Sequence, residues 1–297
     1  MEHQYLDNIF AKSSEHMHEI PDGCVALTVT SPPYWNAIDY DRHTEDPSQY
    51  YRSRSYAAGY TEYEEYLTWL ERISREVLRV TKEGGFYALV IGTVLLDKKH
   101  YPVPFDVASS LTKCGWQFWQ DFIWHKVTGG VKRAGSFIQR PHPGYYYPNL
   151  MSEYILVFRR PGPPIYKTRR QDEVDACRFN IDKLFTNEIA NNVWHIAPVP
   201  PRHLEHPCPF PEEIPWRLIN LYSYPGDLIL DPFCGSGQTL KVAHYLNRHY
   251  VGYDTSEKYV RYAAERIYDA PALRAGQLTA VFEKIPTNES SSSEKKK

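Results

Sequence analysis

Two short segments of this chain end apolar runs in residues able to do chemistry. Val25-Ala26-Leu27-Thr28-Val29 leads into Thr30-Ser31-Pro32-Pro33-Tyr34-Trp35. A hydroxyl, carbonyls held in place by consecutive prolines and an aromatic ring follow one another there, a set that accepts hydrogen bonds and stacks. Two hundred residues further on, Leu228-Ile229-Leu230 leads into Asp231-Pro232-Phe233-Cys234-Gly235-Ser236-Gly237. In this second turn a carboxylate precedes a glycine-rich bend, which tolerates positive φ and lets backbone approach a ligand. Such a carboxylate suits an amino-bearing ligand better than a phosphate. A further acid, Asp254, closes Tyr250-Val251-Gly252-Tyr253. An acid at the end of the second strand is where nucleoside-binding sheets grip ribose hydroxyls.

Strands alternating with helices must position these turns, which predicts an α/β fold with a mainly parallel sheet. Apolar residues at helical spacing predict a helix over Tyr60–Val80, ended by Gly84-Gly85. Strands are expected at Phe86–Ile91, Gln117–His125 and Tyr154–Phe158, with a helix at Phe105–Lys113. A second run reads helix Pro211–Tyr222, strand Asp227–Leu230, helix Thr239–Asn247, strand His249–Tyr253 and helix Ser256–Ile267. Gln277–Glu283 reads as a last strand, and the Ser/Glu/Lys-rich end from Asn288 as disordered. Trp35–Gly59, crowded with Tyr, Arg and Asp, and Pro161–Asn192, which opens Pro/Gly-rich, show no period. Long irregular insertions in a compact enzyme are functional or disordered.

With 297 residues, 42% of them hydrophobic, the chain can bury a large core. It has no apolar stretch of ~18 residues to span a membrane, and Met1-Glu2-His3-Gln4 lacks the build of a signal peptide. Its five cysteines are an odd number and widely spaced, which points to reduced thiols and a cytoplasmic location. Cys177, His195, His203, His206 and Cys208 match no common zinc spacing, so no metal is expected. The net charge of −2 does not favour a nucleic-acid partner, but its distribution does. Between Lys126 and Arg170 stand nine basic residues and one acid, Glu153.

Together the two turns resemble motifs IV and I of the amino-group DNA methyltransferases that use S-adenosylmethionine (AdoMet). Motif IV precedes motif I, as in the permuted β class. Trp124-His125-Lys126, Ser152-Glu153-Tyr154 and Asn192-Val193-Trp194 also fall where members of that class have similar wording. The resemblance implies a Rossmann-like, circularly permuted α/β fold: a seven-stranded mixed sheet with helices on both faces. It divides the chain into a catalytic half (1–160), a target-recognition insertion (161–192), an AdoMet-binding half with motifs X, I and II (193–285) and a disordered tail (286–297). AdoMet would meet Asp231, Pro232, Phe233, Gly235, Ser236, Gly237 and Asp254, with Phe210 of the motif X segment as a pocket wall. Two positions depart from the family. Ala11-Lys12-Ser13-Ser14 stands where many relatives carry Gly-Asp, and Gln238 where Thr is usual.

The resemblance further implies methyl transfer to an exocyclic amino group of a base flipped out of double-stranded DNA. The lone pair of such a group is delocalised into the ring, so it needs acceptors that draw it toward tetrahedral geometry and a face that fixes the base. Ser31, Pro32, Pro33 and Tyr34 are the catalytic candidates. Ser as the first motif residue is typical of enzymes acting on cytosine N4, with adenine N6 as the alternative. Lys126, Lys132, Arg133, Arg140, Arg169 and Arg170 are the candidate DNA contacts, with Tyr50-Tyr51-Arg52-Ser53-Arg54 as another. The partners implied are DNA and, in a restriction–modification system, a cognate endonuclease; relatives occur as monomers and homodimers. An inactive DNA-binding relative, or an RNA or protein substrate, stands as an alternative. A nicotinamide oxidoreductase does not fit, because Gly235-Ser236-Gly237-Gln238-Thr239-Leu240 lacks the third glycine.

Overall fold

The computed structural model describes residues 4–35, 62–96, 99–127, 143–144, 150–200, 204 and 208–273. Its strands, in chain order, are β1 (Asn8–Ala11), β2 (Val25–Thr30), β3 (Thr81–Ile91), β4 (Val94–Leu96), β5 (Lys99–Tyr101), β6 (Gln117–His125), β7 (Ser152–Arg159), β8 (Val193–His195), β9 (Leu228–Asp231) and β10 (His249–Asp254). The helices are α1 (Tyr63–Val80), α2 (Val103–Lys113), α3 (Gln171–Ala176), α4 (Ile181–Thr186), α5 (Glu213–Tyr222), α6 (Gln238–Tyr245) and α7 (Glu257–Arg266), with a 3-10 turn at Ile165–Thr168. Eight strands make one sheet in the order β1-β10-β9-β2-β3-β7-β6-β8, while β4 and β5 pair separately. β7 is antiparallel to both neighbours, and every other pairing in the sheet is parallel.

Alternation along the strands builds a core on each face. In β3, Ala88 and Val90 join the cluster of Ile214, Leu218 and Ile219 from α5 and Leu240 and Val242 from α6. Tyr87, Leu89 and Ile91 point the other way, to Tyr66, Leu70, Ile73 and Val77 of α1 and Val107 and Leu111 of α2. The mixed α/β fold with helices on both faces is therefore as expected.

The sheet has eight strands rather than seven. Both outer strands, β1 with four residues and β8 with three, are too short to show a period. The long helix ends at Val80, since Thr81 is already extended at φ −74° and ψ 131°, and Gly84-Gly85 lies inside β3. A Cβ on Gly85 would come within 2.9 Å of Ala26 O, so this glycine serves close strand approach instead of stopping a helix. Residues 161–192 hold the 3-10 turn, α3 and α4. The expected strand at 277–283 and the tail lie outside the described residues, as do residues 36–59 of the first irregular stretch.

This topology makes one crevice. β2 connects through α1 to β3 on one side, and its neighbour β9 connects through α6 to β10 on the other. Where adjacent parallel strands send their connections in opposite directions, a cleft opens at their carboxyl ends. Both chemical turns of the sequence stand there.

Candidate active site

The first turn leaves β2 at Thr30 and is held from behind by α1. Tyr66, fully buried, donates from its hydroxyl to the carbonyl of Pro33 at 3.0 Å. Trp35 packs against Tyr63 and Tyr101, with ring centroids 5.0 and 4.4 Å away. Tyr34 donates to Glu153 Oε2 at 2.5 Å, and Glu153 Oε1 accepts from Lys126 Nζ. The hydroxyl and ring of the turn thus stand on a fixed backbone.

The second turn leaves β9 and enters α6 through Gly237, which is left-handed at φ 78°. A Cβ there would lie 2.8 Å from Ala263 Cβ, so both conformation and space require glycine. Gly235 N donates to Asp254 Oδ2 at 3.0 Å, and Ser256 N to Asp254 Oδ1 at 2.8 Å. These bonds aim the Asp254 carboxylate while leaving lone pairs for hydroxyl donors.

Asp231 joins the two turns. Thr30 Oγ1 donates to its Oδ1 at 2.5 Å, and the Phe233 backbone N–H to the same atom at 3.1 Å. Thr239, the second residue of α6, donates to the carbonyl of Val29 at 3.1 Å. The Asp231 carboxyl is pushed up to about 6, chiefly by burial and further by the charge of Asp254, against the hydrogen bonds from Thr30, Phe233 and Thr239. At 1% exposure it faces inward as a bridge between motifs.

A cleft runs between the turns. Ser31 and Pro33 line it from the first, Pro232 and Phe233 from the second, and Asp254 and Thr255 from the end of β10. Trp69 of α1 adds an aromatic wall, tilted on Phe233 at 5.5 Å. Lys12, Ser13 and Ser14 line it too. They stand where the sequence departs from the family wording, and the parallel pairing of β1 with β10, Ala11 opposite Asp254, brings them in. Cys208 completes the lining. Burial pushes its thiol up to about 11 and raises that of Cys234 as well, so neither supplies a thiolate at neutral pH for covalent catalysis. A carboxylate, hydroxyls and aromatic walls fit a nucleoside bearing an amino group better than a polyphosphate.

Several expected residues stand elsewhere. Phe210 joins the core cluster around α5 and α6, its carbonyl accepting from Gln238 Nε2 at 3.1 Å, and Cys208 is the upstream residue at the cleft. Arg169 pairs with Asp227, which precedes β9, and lies over the Tyr224 ring at 4.4 Å. That is the amino-terminal end of the sheet, opposite the catalytic turn. Arg170 pairs with Asp172 and Glu173 beside it. Neither arginine reaches the cleft, because 161–192 passes over one sheet face from that far end. Arg160, counted in the basic stretch, caps carbonyls at the end of α1, including those of Leu78 and Arg79. Lys126 alone among the described candidates stands at the catalytic edge. Lys132, Arg133 and Arg140, and the Tyr50–Arg54 segment, lie outside the described residues. Tyr66, Trp69, Glu153 and Lys12–Ser14 were not singled out as site residues in the sequence. Glu153 left a signal, as the one acid among nine bases.

Comparison with known proteins gives the family and the fold. The chain matches the N6/N4 methyltransferase family, described as DNA methylase, over residues 25–265. It is 30% identical over 281 residues to the type II methyltransferase M.MthZI of Methanothermobacter thermautotrophicus, covering 87% of this chain and 76% of that one. The type II methyltransferase M.BglII of Bacillus subtilis is 27% identical, covering 90% and 71%. Among solved structures, TTHA0409 of Thermus thermophilus complexed with S-adenosyl-L-methionine superposes with a TM-score of 0.66 at 27% identity, over 88% of this chain and 92% of that one. The cytosine-N4-specific PvuII DNA methyltransferase shares the fold, with a TM-score of 0.64 at 19% identity over 89% and 87%. With its match to that family over residues 25–265 and its 30% identity to a type II methyltransferase, this chain belongs to the N6/N4 DNA methylase family.

Proposed function

We propose that this methyltransferase modifies the exocyclic N4 amino group of a cytosine flipped out of double-stranded DNA, as the modification enzyme of a restriction–modification system. The observation that carries the reading is the meeting of Ser31 and Pro33 of the first turn with Pro232 and Phe233 of the second in one cleft, the turns being joined by Thr30 and Asp231. The methyl donor is AdoMet, which supplies an electrophilic methyl group. Asp254 would hold its ribose hydroxyls, and Trp69 and Phe233 would flank its base. Ser13 and Ser14 offer hydroxyls to its polar groups. We read the order of the two motifs as the permuted β arrangement, and relatives named as type II methyltransferases support the restriction–modification role.

The residues of the first turn account for the chemistry. Ser31 Oγ and the Pro32 carbonyl accept from the target NH2 and turn its lone pair out of conjugation. Tyr34 supplies the stacking face, a contact worth ~1–3 kcal/mol per base. The proton lost from nitrogen after transfer passes along those same acceptors to solvent. Ser31 in place of Asp or Asn favours cytosine over adenine.

The test is mass spectrometry of nucleosides from DNA treated with the protein and labelled AdoMet, beside Ser31→Ala. N4-methylcytosine that vanishes in the variant is the expected result. N6-methyladenine would keep the site and overturn the base assignment.

A further inference from the structure

Glu153 is the one acid in a basic stretch, and the fold buries it to 7% exposure directly behind the catalytic turn. It stands on β7 opposite Trp124, and Lys126 follows the end of the neighbouring strand β6. One carboxylate oxygen takes the Tyr34 hydroxyl at 2.5 Å, and the other takes the Lys126 ammonium. Lys126 is itself held, its backbone N–H on the Met151 carbonyl at 2.8 Å and its ammonium 4.8 Å from the Trp124 ring centroid. The seat is made by Gly92 just past β3. A Cβ there would lie 3.2 Å from Glu153 Cγ and 3.5 Å from Tyr34 Cε1.

A carboxylate buried this far is costly unless paired and hydrogen-bonded, and replacing such a pair with apolar residues often costs no stability. Stability alone therefore does not account for an ion pair at this place. Its geometric effect is specific: it removes the rotational freedom of one tyrosine in the turn that presents Ser31.

We propose that the Lys126–Glu153 pair is a positioning device for the catalytic turn, holding the Tyr34 hydroxyl so that the ring meets the target base at the angle methyl transfer needs. The inference rests on the reading of Tyr34 as the face on which the base stacks. Lys126, first counted as a phosphate contact, acts here through Glu153. Both are positioning residues, and Tyr34 is the group that touches substrate.

Single-turnover methylation of unmodified DNA tests it, using Tyr34→Phe, Glu153→Gln, Lys126→Met and the double variant Tyr34→Phe/Glu153→Gln, with AdoMet Kd and Tm measured alongside. Tyr34→Phe keeps the ring and removes only the hydroxyl. Each single change is expected to slow transfer about 10- to 100-fold, the scale of a small misplacement at a reacting centre. AdoMet Kd should stay that of the wild type, and the double variant should be no slower than either single one. A Tyr34→Phe rate equal to that of the wild type would overturn the proposal while leaving the function intact. So would losses that add in the double variant, or that appear as weaker AdoMet binding. If Glu153→Gln fails to fold, Tyr34→Phe and Lys126→Met still decide. A wild-type protein that binds AdoMet but methylates no DNA would instead overturn the reading of the site itself.

Discussion

Asp227 and Asp231 stand at the two ends of β9, both buried, and meet opposite surroundings. Asp227 accepts from Lys82 Nζ at 2.7 Å, from Arg169 and from the Tyr224 backbone N–H at 2.7 Å. Asp231 accepts from a hydroxyl and a backbone N–H, and the nearby charge that acts on it is the like charge of Asp254. One end of the strand has its charge neutralised and is built to stay folded. The other keeps a carboxyl raised by burial where the two turns are joined. Position on a parallel strand, more than residue type, separates these two acids.

Three changes would break or sharpen that contrast. Asp227→Ala leaves Lys82 and Arg169 facing each other without their carboxylate, and loss of one partner of a buried pair costs ~3–5 kcal/mol. Urea unfolding should show that loss, while AdoMet Kd of the folded protein stays unchanged. A shift confined to AdoMet affinity would put Asp227 in the wrong class.

Asp231→Asn acts through pH. The folded-state pKa of about 6 lies above the ordinary 3.8, so the folded protein holds the proton more tightly than the unfolded chain. The stability from this group is fully present below 3.8 and is lost as pH rises through about 6. By linkage the wild type loses about 3 kcal/mol across that window relative to the Asn variant. If Asp231 meets the cofactor's amino group, AdoMet affinity should run the other way, rising with pH as the carboxylate forms, and the variant should lack that rise. Parallel denaturation and titration curves for both proteins would show Asp231 to be electrostatically inert.

Arg170→Ala has the smallest expected effect. Its side chain is 74% exposed and pairs only with neighbouring Asp172 and Glu173 among the contacts seen. The change should cost at most ~0.5 kcal/mol, as for other exposed pairs. DNA affinity should hold at every salt concentration. A weaker, flatter salt response would return Arg170 to the DNA-facing set.

The parts legible in the sequence were those with strong local signatures. Val25–Thr30 and Leu228–Asp231 are apolar runs ending in prolines or glycines, and both became strands that end at the cleft. The joining of Thr30 to Asp231 across two hundred residues followed from neither run alone. Counting charges assumes that arginine lies on the surface with its charge free for a partner. Arg160 and Arg169 spend theirs on helix-end carbonyls and on Asp227. Gly84-Gly85 misled for a related reason: glycine as a helix stop and glycine for strand approach look alike until the neighbouring strand is known. Lys12–Ser14 read as a missing contact because the wording differed, yet strand pairing fixes the backbone there whatever the side chains are.

That pairing also sets an order of assembly. Asn8–Ala11 leaves a ribosome more than two hundred residues before its parallel partner, His249–Asp254. Until β10 exists, Lys12, Ser13 and Ser14 have nothing to hold them against Asp254, and contacts so distant in sequence form slowly. The cleft beside Lys12, Ser13 and Ser14 is thus completed only once β10 has paired, and a nascent chain that lacks β10 does not present it.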